Sequence, residues 1–197
     1  MTLYKRREIF SNISIKVGIF FSKFRLSPNQ WTLLSIIPAL IALYFLVYGQ
    51  FLAAAVFFII SAFMDLIDGS VARVMGKASR LGAYLDTIMD RYVEGIIVFA
   101  LLFSGLPGFY LPVYAWIFLY IFGSLMTTYT KSAAKEKELV YEELKGGILE
   151  RAERMIVLFI GILLASIEPV YLTYVIVILA VLSNISALQR IWIATRE

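Results

Sequence analysis

The sequence contains no histidine and no cysteine, and these two absences limit the chemistry that the protein can perform. Without cysteine there is no thiol nucleophile, zinc–thiolate site or disulfide bond, and without histidine there is no imidazole general base. A bound metal ion would therefore need oxygen ligands, which favours Mg²⁺, Mn²⁺ or Ca²⁺. A general base would have to be a carboxylate, a lysine or a tyrosine.

Charged residues are also scarce. Only 16% of the 197 residues are charged and 61% are hydrophobic, and the mean hydropathy is +0.84. A soluble domain of this length is typically about half apolar and about a quarter charged. The composition therefore predicts an all-α integral membrane protein, and the length suits about six spans of about 20 residues. We expect residues 27–197 to form this single membrane domain.

Residues 1–26 have a different pattern from the rest of the chain. Apolar side chains recur at helical spacing between residues 4 and 25, and lysine and arginine cover much of the remaining surface. This pattern predicts an amphipathic helix that lies in the membrane interface. Asn12, Ser14 and Lys16 interrupt the apolar positions, so the segment is not typical of a cleavable signal peptide.

The distribution of lysine and arginine distinguishes the two ends of the six predicted spans. The spans cover about residues 27–48, 51–75, 81–103, from 110 into the charged segment that begins at 131, 148–166 and 170–193. All 18 lysines and arginines lie before span 1, from the end of span 2 to early span 3, from the end of span 4 to early span 5, or near the end of span 6. The three opposite turns have none, so the positive-inside rule predicts that both termini face the cytoplasm of a multi-pass cell-membrane protein.

The first span contains residues that are typical of a helix start and of a helix kink. Ser27 is predicted to cap it, Pro28 occupies its first turn, and Pro38 is expected to kink it.

Four aspartates stand out in this apolar chain. Asp65 and Asp68 lie three residues apart near the end of span 2, and Asp86 and Asp90 lie four apart near the start of span 3. Each pair therefore projects from one helix face, and a short loop between antiparallel helices would bring the pairs together. Carboxylates at membrane depth are costly and repel one another. Two divalent cations would resolve both problems and could clamp a phosphate group.

The residues between the aspartates favour a phosphate ligand. Gly69 allows close approach to the backbone, Arg73 is suited to bind phosphate, and Gly82 is consistent with a close helix contact. Two other interpretations of the aspartates are solvated helix faces and the proton or ion pathway of a transporter.

The full spacing, Asp65-x2-Asp68-Gly69-x2-Ala72-Arg73-x8-Gly82-x3-Asp86-x3-Asp90, resembles the signature of the CDP-alcohol phosphotransferase family. The similarity extends to the interfacial helix, the Pro-Asn before span 1 and the six spans. The resemblance implies a membrane enzyme that moves a substituted phosphate from a CDP-linked lipid to an acceptor hydroxyl and releases CMP. It also implies a homodimer.

The resemblance further implies roles for individual residues. It implies two Mg²⁺ or Mn²⁺ ions at Asp65, Asp68, Asp86 and Asp90, with Asp90 also the catalytic general base. The residues that it places around the CDP group are Asn29, Asp65, Asp68, Gly69, Arg73, Ser79 and Gly82.

Three further stretches resemble the family members that use inositol phosphate, in phosphatidylinositol phosphate or archaetidylinositol phosphate synthesis. They are Asp90-Arg91-Tyr92, the GGILERAER stretch at residues 146–154, and Arg190. The residues predicted to bind the phosphate of a phosphorylated polyol acceptor are Lys131, Arg151, Arg154 and Arg190. One position departs from that subgroup, because Ala133 stands where an arginine is expected.

The departure at Ala133 keeps other acceptors open, including other polyol phosphates of the di-inositol-phosphate or glycerophosphate type. A membrane prenyltransferase and an ion-coupled transporter are more distant alternatives, and no nucleic-acid partner is expected. Arg91 is predicted to be a structural partner of Glu94 or of a neighbouring acid. Lys137, Lys145 and Arg196 are expected to anchor the chain on its cytoplasmic side through contacts with anionic lipid headgroups.

Overall fold

The computed structural model describes residues 14–140 and 147–196. Within these residues the chain is helical, with one isolated bridge between Phe109 and Leu111 and no strand, so the predicted all-α class is confirmed. The helices in chain order are α1 (residues 14–22), α2 (Pro28–Leu34), α3 (Ile36–Val47), α4 (Phe51–Val74), α5 (Arg80–Leu101), α6 (Val113–Glu136), α7 (Arg151–Ala165) and α8 (Pro169–Ala194). The first half of the predicted interfacial helix lies outside the described residues.

Four stretches of the described chain are long and apolar enough to cross a membrane. They are Pro28–Val47, which combines α2 and α3, and the helices α4, α6 and α8. The protein is therefore a membrane protein. Helix α5 carries two of the aspartates and further charges, which lower its hydropathy, and α7 has only 15 residues. The count of six spans stays a prediction.

The described residues form two compact units. One consists of Met1–Ala42 with Val56–Ile97, as far as these ranges are described, and the other of Leu43–Ala55 with Val98–Glu197. In the first unit α1 packs closely on α4, because a Cβ on Gly18 would lie 2.5 Å from the carbonyl oxygen of Ser70. Such backbone contact is possible only where a side chain is missing.

The start of α2 agrees with the sequence prediction. The hydroxyl of Ser27 accepts a hydrogen bond from the N–H three residues later in a capping box, and Pro28 follows it. Helices α2 and α3 are separated at Ser35, three residues before Pro38, which has no N–H to donate to the preceding turn. The hydroxyl of Ser61 donates to the carbonyl of Ser35 at 2.7 Å and supports this interruption.

In the second unit, glycines allow α6, α7 and α8 to approach one another. A Cβ on Gly123 would lie 2.8 Å from the backbone nitrogen of Asn184, and a Cβ on Gly161 would lie 2.8 Å from Val175. The side-chain amide of Asn184 donates to the carbonyl of Leu119 at 2.8 Å, which joins α8 to α6. Close backbone approach and interhelical hydrogen bonds are the interactions that hold helices together in lipid.

The contact at Gly123 predicts the effect of a single methyl group. We expect Gly123→Ala to lower the free energy of unfolding by about 1–3 kcal/mol, because the backbone of α8 has to move. Gly95→Ala is the matched control, since a Cβ there meets no atom within 4 Å and alanine favours a helix by about 0.5–1 kcal/mol. Thermal unfolding of both variants in detergent measures the difference. Equal midpoints for the two variants would contradict the packing described.

Candidate active site

The turn between α4 and α5 positions the four aspartates. Gly76 adopts φ +61° after the end of α4, a conformation that glycine adopts without strain. The hydroxyl of Ser79 then accepts a hydrogen bond from the N–H of Gly82 at 3.0 Å and caps the start of α5. The last turns of α4 and the first turns of α5 are thereby placed side by side.

Three of the four aspartates come together in this arrangement. One carboxylate oxygen from each of Asp65, Asp68 and Asp86 lies within 4.8 Å of the others. Asp68 is only 5% exposed, and the other two are half-buried. Metal–oxygen bonds of about 2.0–2.6 Å span up to about 5 Å across one ion. The oxygen donors and their spacing therefore fit a hard divalent cation such as Mg²⁺ or Mn²⁺.

Asp90 does not belong to this group of three. It lies one helical turn beyond Asp86 on α5, it is half-buried, and its Oδ1 atom is buried. Its assignment as a metal ligand and as a general base stays a prediction.

A further residue, Thr32, lies at the cluster, and it was not predicted from the sequence. Its hydroxyl in α2 donates a hydrogen bond of 2.5 Å to Oδ2 of Asp68 in α4, and both side chains are buried. The available signal was weak: Thr32 lies three residues after Asn29 and so shares its helix face.

Three of the residues predicted at the CDP group lie together. A Cβ on Gly82 would lie 3.2 Å from the hydroxyl of Ser79 and 3.3 Å from the amide oxygen of Asn29. The start of α2 therefore meets the start of α5 at a position where only hydrogen fits without displacing a neighbour.

Arg73 lies near the end of α4, four residues after Gly69. Its guanidinium packs over Gly69, where a Cβ would lie 3.5 Å from Nη1. Nη2 donates to the hydroxyl of Ser14 in α1 at 2.7 Å and to that of Ser70 at 3.4 Å. The side chain is exposed, so the guanidinium remains accessible to an anion.

In the second unit two buried arginines converge on Thr127 of α6. Arg154 of α7 is 1% exposed and donates to the hydroxyl of Thr127 at 3.4 Å, and Arg190 of α8 is 7% exposed and donates to its carbonyl at 2.7 Å. Gly147 lies against Arg190, since a Cβ there would be 3.3 Å from Nε. Buried guanidinium groups at fixed positions suit the recognition of a phosphate.

The other predicted acceptor residues belong to the same helices. Lys131 lies one turn beyond Thr127 on α6, and Arg151 lies one turn before Arg154 at the start of α7, and both are half-buried. A different prediction is confirmed, because Arg91 pairs with the buried carboxylate of Glu94 at 2.7 Å.

Comparison with known proteins identifies the family. The family model for CDP-alcohol phosphatidyltransferases matches residues 25–190 of the chain. The chain belongs to the CDP-alcohol phosphatidyltransferase family.

Relatives of this CDP-alcohol phosphatidyltransferase include an archaetidylinositol phosphate synthase of Pyrococcus horikoshii. The two are 31% identical over 92% of this chain and 90% of that one. A bifunctional IPC transferase and DIPP synthase of Aquifex aeolicus is 28% identical over 96% of this chain, which spans only 44% of that relative.

The phosphatidylinositol phosphate synthase of Mycobacterium tuberculosis has a similar structure. With CDP-DAG bound it superposes with a TM-score of 0.81 at 25% identity, covering 93% of this chain and 94% of that one. In complex with manganese and citrate it superposes with a TM-score of 0.82 at 26% identity, covering 92% and 88%.

The contacts at Thr127 predict that its hydroxyl contributes to the stability of this CDP-alcohol phosphatidyltransferase. Thr127 donates to the carbonyl of Ser124 and accepts from Arg154, so Thr127→Val removes an acceptor from a buried guanidinium. We expect a loss of about 1 kcal/mol in the free energy of unfolding. Thr130→Val is the control on the same helix, because its hydroxyl donates only to backbone carbonyls of α6. A loss no larger than that of the control would show that the Arg154 contact is not stabilising.

Proposed function

We propose that the protein transfers a substituted phosphate from a CDP-linked lipid, CDP-diacylglycerol or CDP-archaeol, to a hydroxyl of an inositol-phosphate-type acceptor. The observation that carries the proposal is the cluster of Asp65, Asp68 and Asp86, in a chain that matches the family over residues 25–190. The named relatives support this choice, because they include an archaetidylinositol phosphate synthase and a phosphatidylinositol phosphate synthase solved with CDP-DAG.

The reaction is a displacement at the phosphorus that carries the lipid. The acceptor hydroxyl oxygen forms a new bond to this phosphorus, and the bond from phosphorus to the oxygen of CMP breaks. Asp90 receives the hydroxyl proton as general base, so the products are a phosphodiester, CMP and one proton. A carboxylate base is consistent with a chain that contains no histidine.

Asp65, Asp68 and Asp86 would hold the metal, with Asp90 beside them, and we propose two ions of Mg²⁺ or Mn²⁺. Bound ions supply positive charge that neutralises the pyrophosphate and the departing CMP. Manganese in the Mycobacterium tuberculosis structure supports the choice of metal.

The donor is bound by the residues around the aspartates. Arg73 offers an exposed guanidinium to the phosphates, and Gly69 leaves the backbone open beside it. Asn29, Ser79 and Gly82, which lie together, would border the rest of the CDP group.

The acceptor phosphate is bound by Lys131, Arg151, Arg154 and Arg190. Two of these, Arg154 and Arg190, are buried and already fixed at Thr127, which reduces the entropy that binding has to remove. Arginine forms bidentate hydrogen bonds to phosphate, which distinguishes a phosphorylated polyol from a neutral one.

In the membrane we propose six spans, formed by Pro28–Val47 and by α4 to α8, with residues 1–26 as an interfacial helix. The distribution of the 18 cations supports a multi-pass arrangement in the cell membrane with both termini and the active site facing the cytoplasm. We further propose a homodimer within membrane lipid.

A second candidate within the family is transfer to another polyol phosphate, of the di-inositol-phosphate type. It is favoured by Ala133, which removes one expected cation, and by the similarity to the bifunctional IPC transferase and DIPP synthase.

The transfer reaction predicts release of CMP that depends on metal and on Asp90. Purified protein with Mg²⁺ or Mn²⁺ and CDP-lipid should release CMP with inositol-1-phosphate in preference to inositol, glycerol-3-phosphate or serine. Asp90→Asn should lower the rate by about 10²- to 10⁴-fold, because the general base is removed. Glu168→Gln is the control, since it removes an exposed carboxylate before α8. Unchanged CMP release by Asp90→Asn, or none by the wild-type protein with any acceptor, would contradict the proposal.

The absence of the expected arginine at position 133 leads to a prediction about affinity for the acceptor. Ala133→Arg adds a cation at a half-buried position of α6, two residues after Lys131, and should lower the KM for inositol-1-phosphate several-fold. Ser132→Arg is the matched control, because it adds the same charge at an exposed neighbouring position. Steady-state kinetics of both variants measure the effect. A higher KM for Ala133→Arg would show that the pocket is shaped for a different acceptor.

A further inference from the structure

The hydrogen bond from Thr32 to Asp68 joins two helices that are distant in sequence. The residues are 36 positions apart, and the oxygen atoms are 2.5 Å apart. Both side chains are buried, at 3% and 5% exposure. A hydroxyl that donates to a carboxylate at this distance forms a strong, charge-assisted hydrogen bond.

Thr32 has two acceptors within reach and only one proton to donate. The carbonyl oxygen of Pro28, one turn earlier in α2, lies 3.1 Å from the hydroxyl and is the usual partner of a helical threonine. The carboxylate of Asp68 is both closer and charged, so the proton is directed to Asp68.

The position of Thr32 is fixed by the backbone around it. The capping box at Ser27 sets the start of α2, and the hydrogen bond from Ser61 to the carbonyl of Ser35 ties the end of α2 to α4. Thr32 lies between these two fixed points, so the position of its hydroxyl relative to α4 is also fixed.

A hydrogen bond to one oxygen of a carboxylate restricts its rotation and so fixes the direction of its other oxygen. We propose that Thr32 is a positioning residue for the metal site, and that its hydroxyl holds Asp68 in the orientation that binds a divalent cation together with Asp65 and Asp86. This inference rests on the metal site of the proposed function. Groups that orient a metal ligand typically contribute about 10- to 100-fold to metal affinity.

The test distinguishes the contribution of the Thr32 hydroxyl to metal binding from that of its methyl group. Thr32→Val keeps the size and removes the hydroxyl, whereas Thr32→Ser keeps the hydroxyl and removes the methyl. Binding of Mn²⁺ to the full-length protein in detergent, without substrate, is measured from the free-ion signal in electron paramagnetic resonance. We expect the Kd for Mn²⁺ to rise about 10-fold or more in Thr32→Val and to stay close to the wild-type value in Thr32→Ser.

Two controls exclude a general loss of structure. Thr130→Val makes the same exchange in α6, at a hydroxyl that bonds only within its helix, and should leave Mn²⁺ binding unchanged. Each variant is assayed as a monodisperse fraction from gel filtration, and Thr32→Ala replaces Thr32→Val if the latter does not yield one.

Three results would overturn the inference: wild-type affinity in the variant without the hydroxyl, an equal loss in Thr32→Ser, or no binding of Mn²⁺ by the wild-type protein. Wild-type protein that binds Mn²⁺ but releases no CMP contradicts the proposed function, and the comparison of the Thr32 variants still decides the present inference.

Discussion

The first unit has to hold three carboxylates together in an apolar chain, although these groups repel one another. Two unit charges 4.8 Å apart repel by about 3 kcal/mol at an effective dielectric constant of about 20, and Asp65, Asp68 and Asp86 lie within this distance of one another. The turn at Gly76 and the cap at Ser79 nevertheless hold them together. A divalent cation turns this repulsion into attraction, so the same packing becomes favourable once metal is bound.

Small and hydroxylated residues join the helices at several points of close approach. Lipid tails are as apolar as leucine, so burial of apolar surface does little to hold helices together in a membrane. Helix α1 contacts α4 through Gly18, α2 bonds to α4 through Thr32, and α6 meets α8 at Gly123. These contacts fix backbones at short range, and the functional side chains are therefore positioned by the helices themselves.

The sequence predicts some features well because they depend on local spacing. The cap at Ser27 and the ion pair between Arg91 and Glu94 each involve residues within one helical turn. The cluster of Asp65, Asp68 and Asp86 follows from the spacing on two helices that one short turn joins. Thr32 could not be predicted in the same way, because a threonine in a helix usually bonds to its own backbone. Its partner lies 36 residues away, and only the packing of α2 on α4 reveals it.

In the proposed reaction, the residues that select the acceptor are different from those that perform the transfer. The signature from Asp65 to Asp90 is complete and lies wholly in the first unit, whereas Arg154, Arg190 and the unusual Ala133 belong to the second. In this proposal, a substitution at position 133 alters the charge available to an acceptor phosphate and leaves every aspartate in place. Under the proposed function, the identity of the acceptor is therefore decided on α6, α7 and α8, by residues that lie outside the signature.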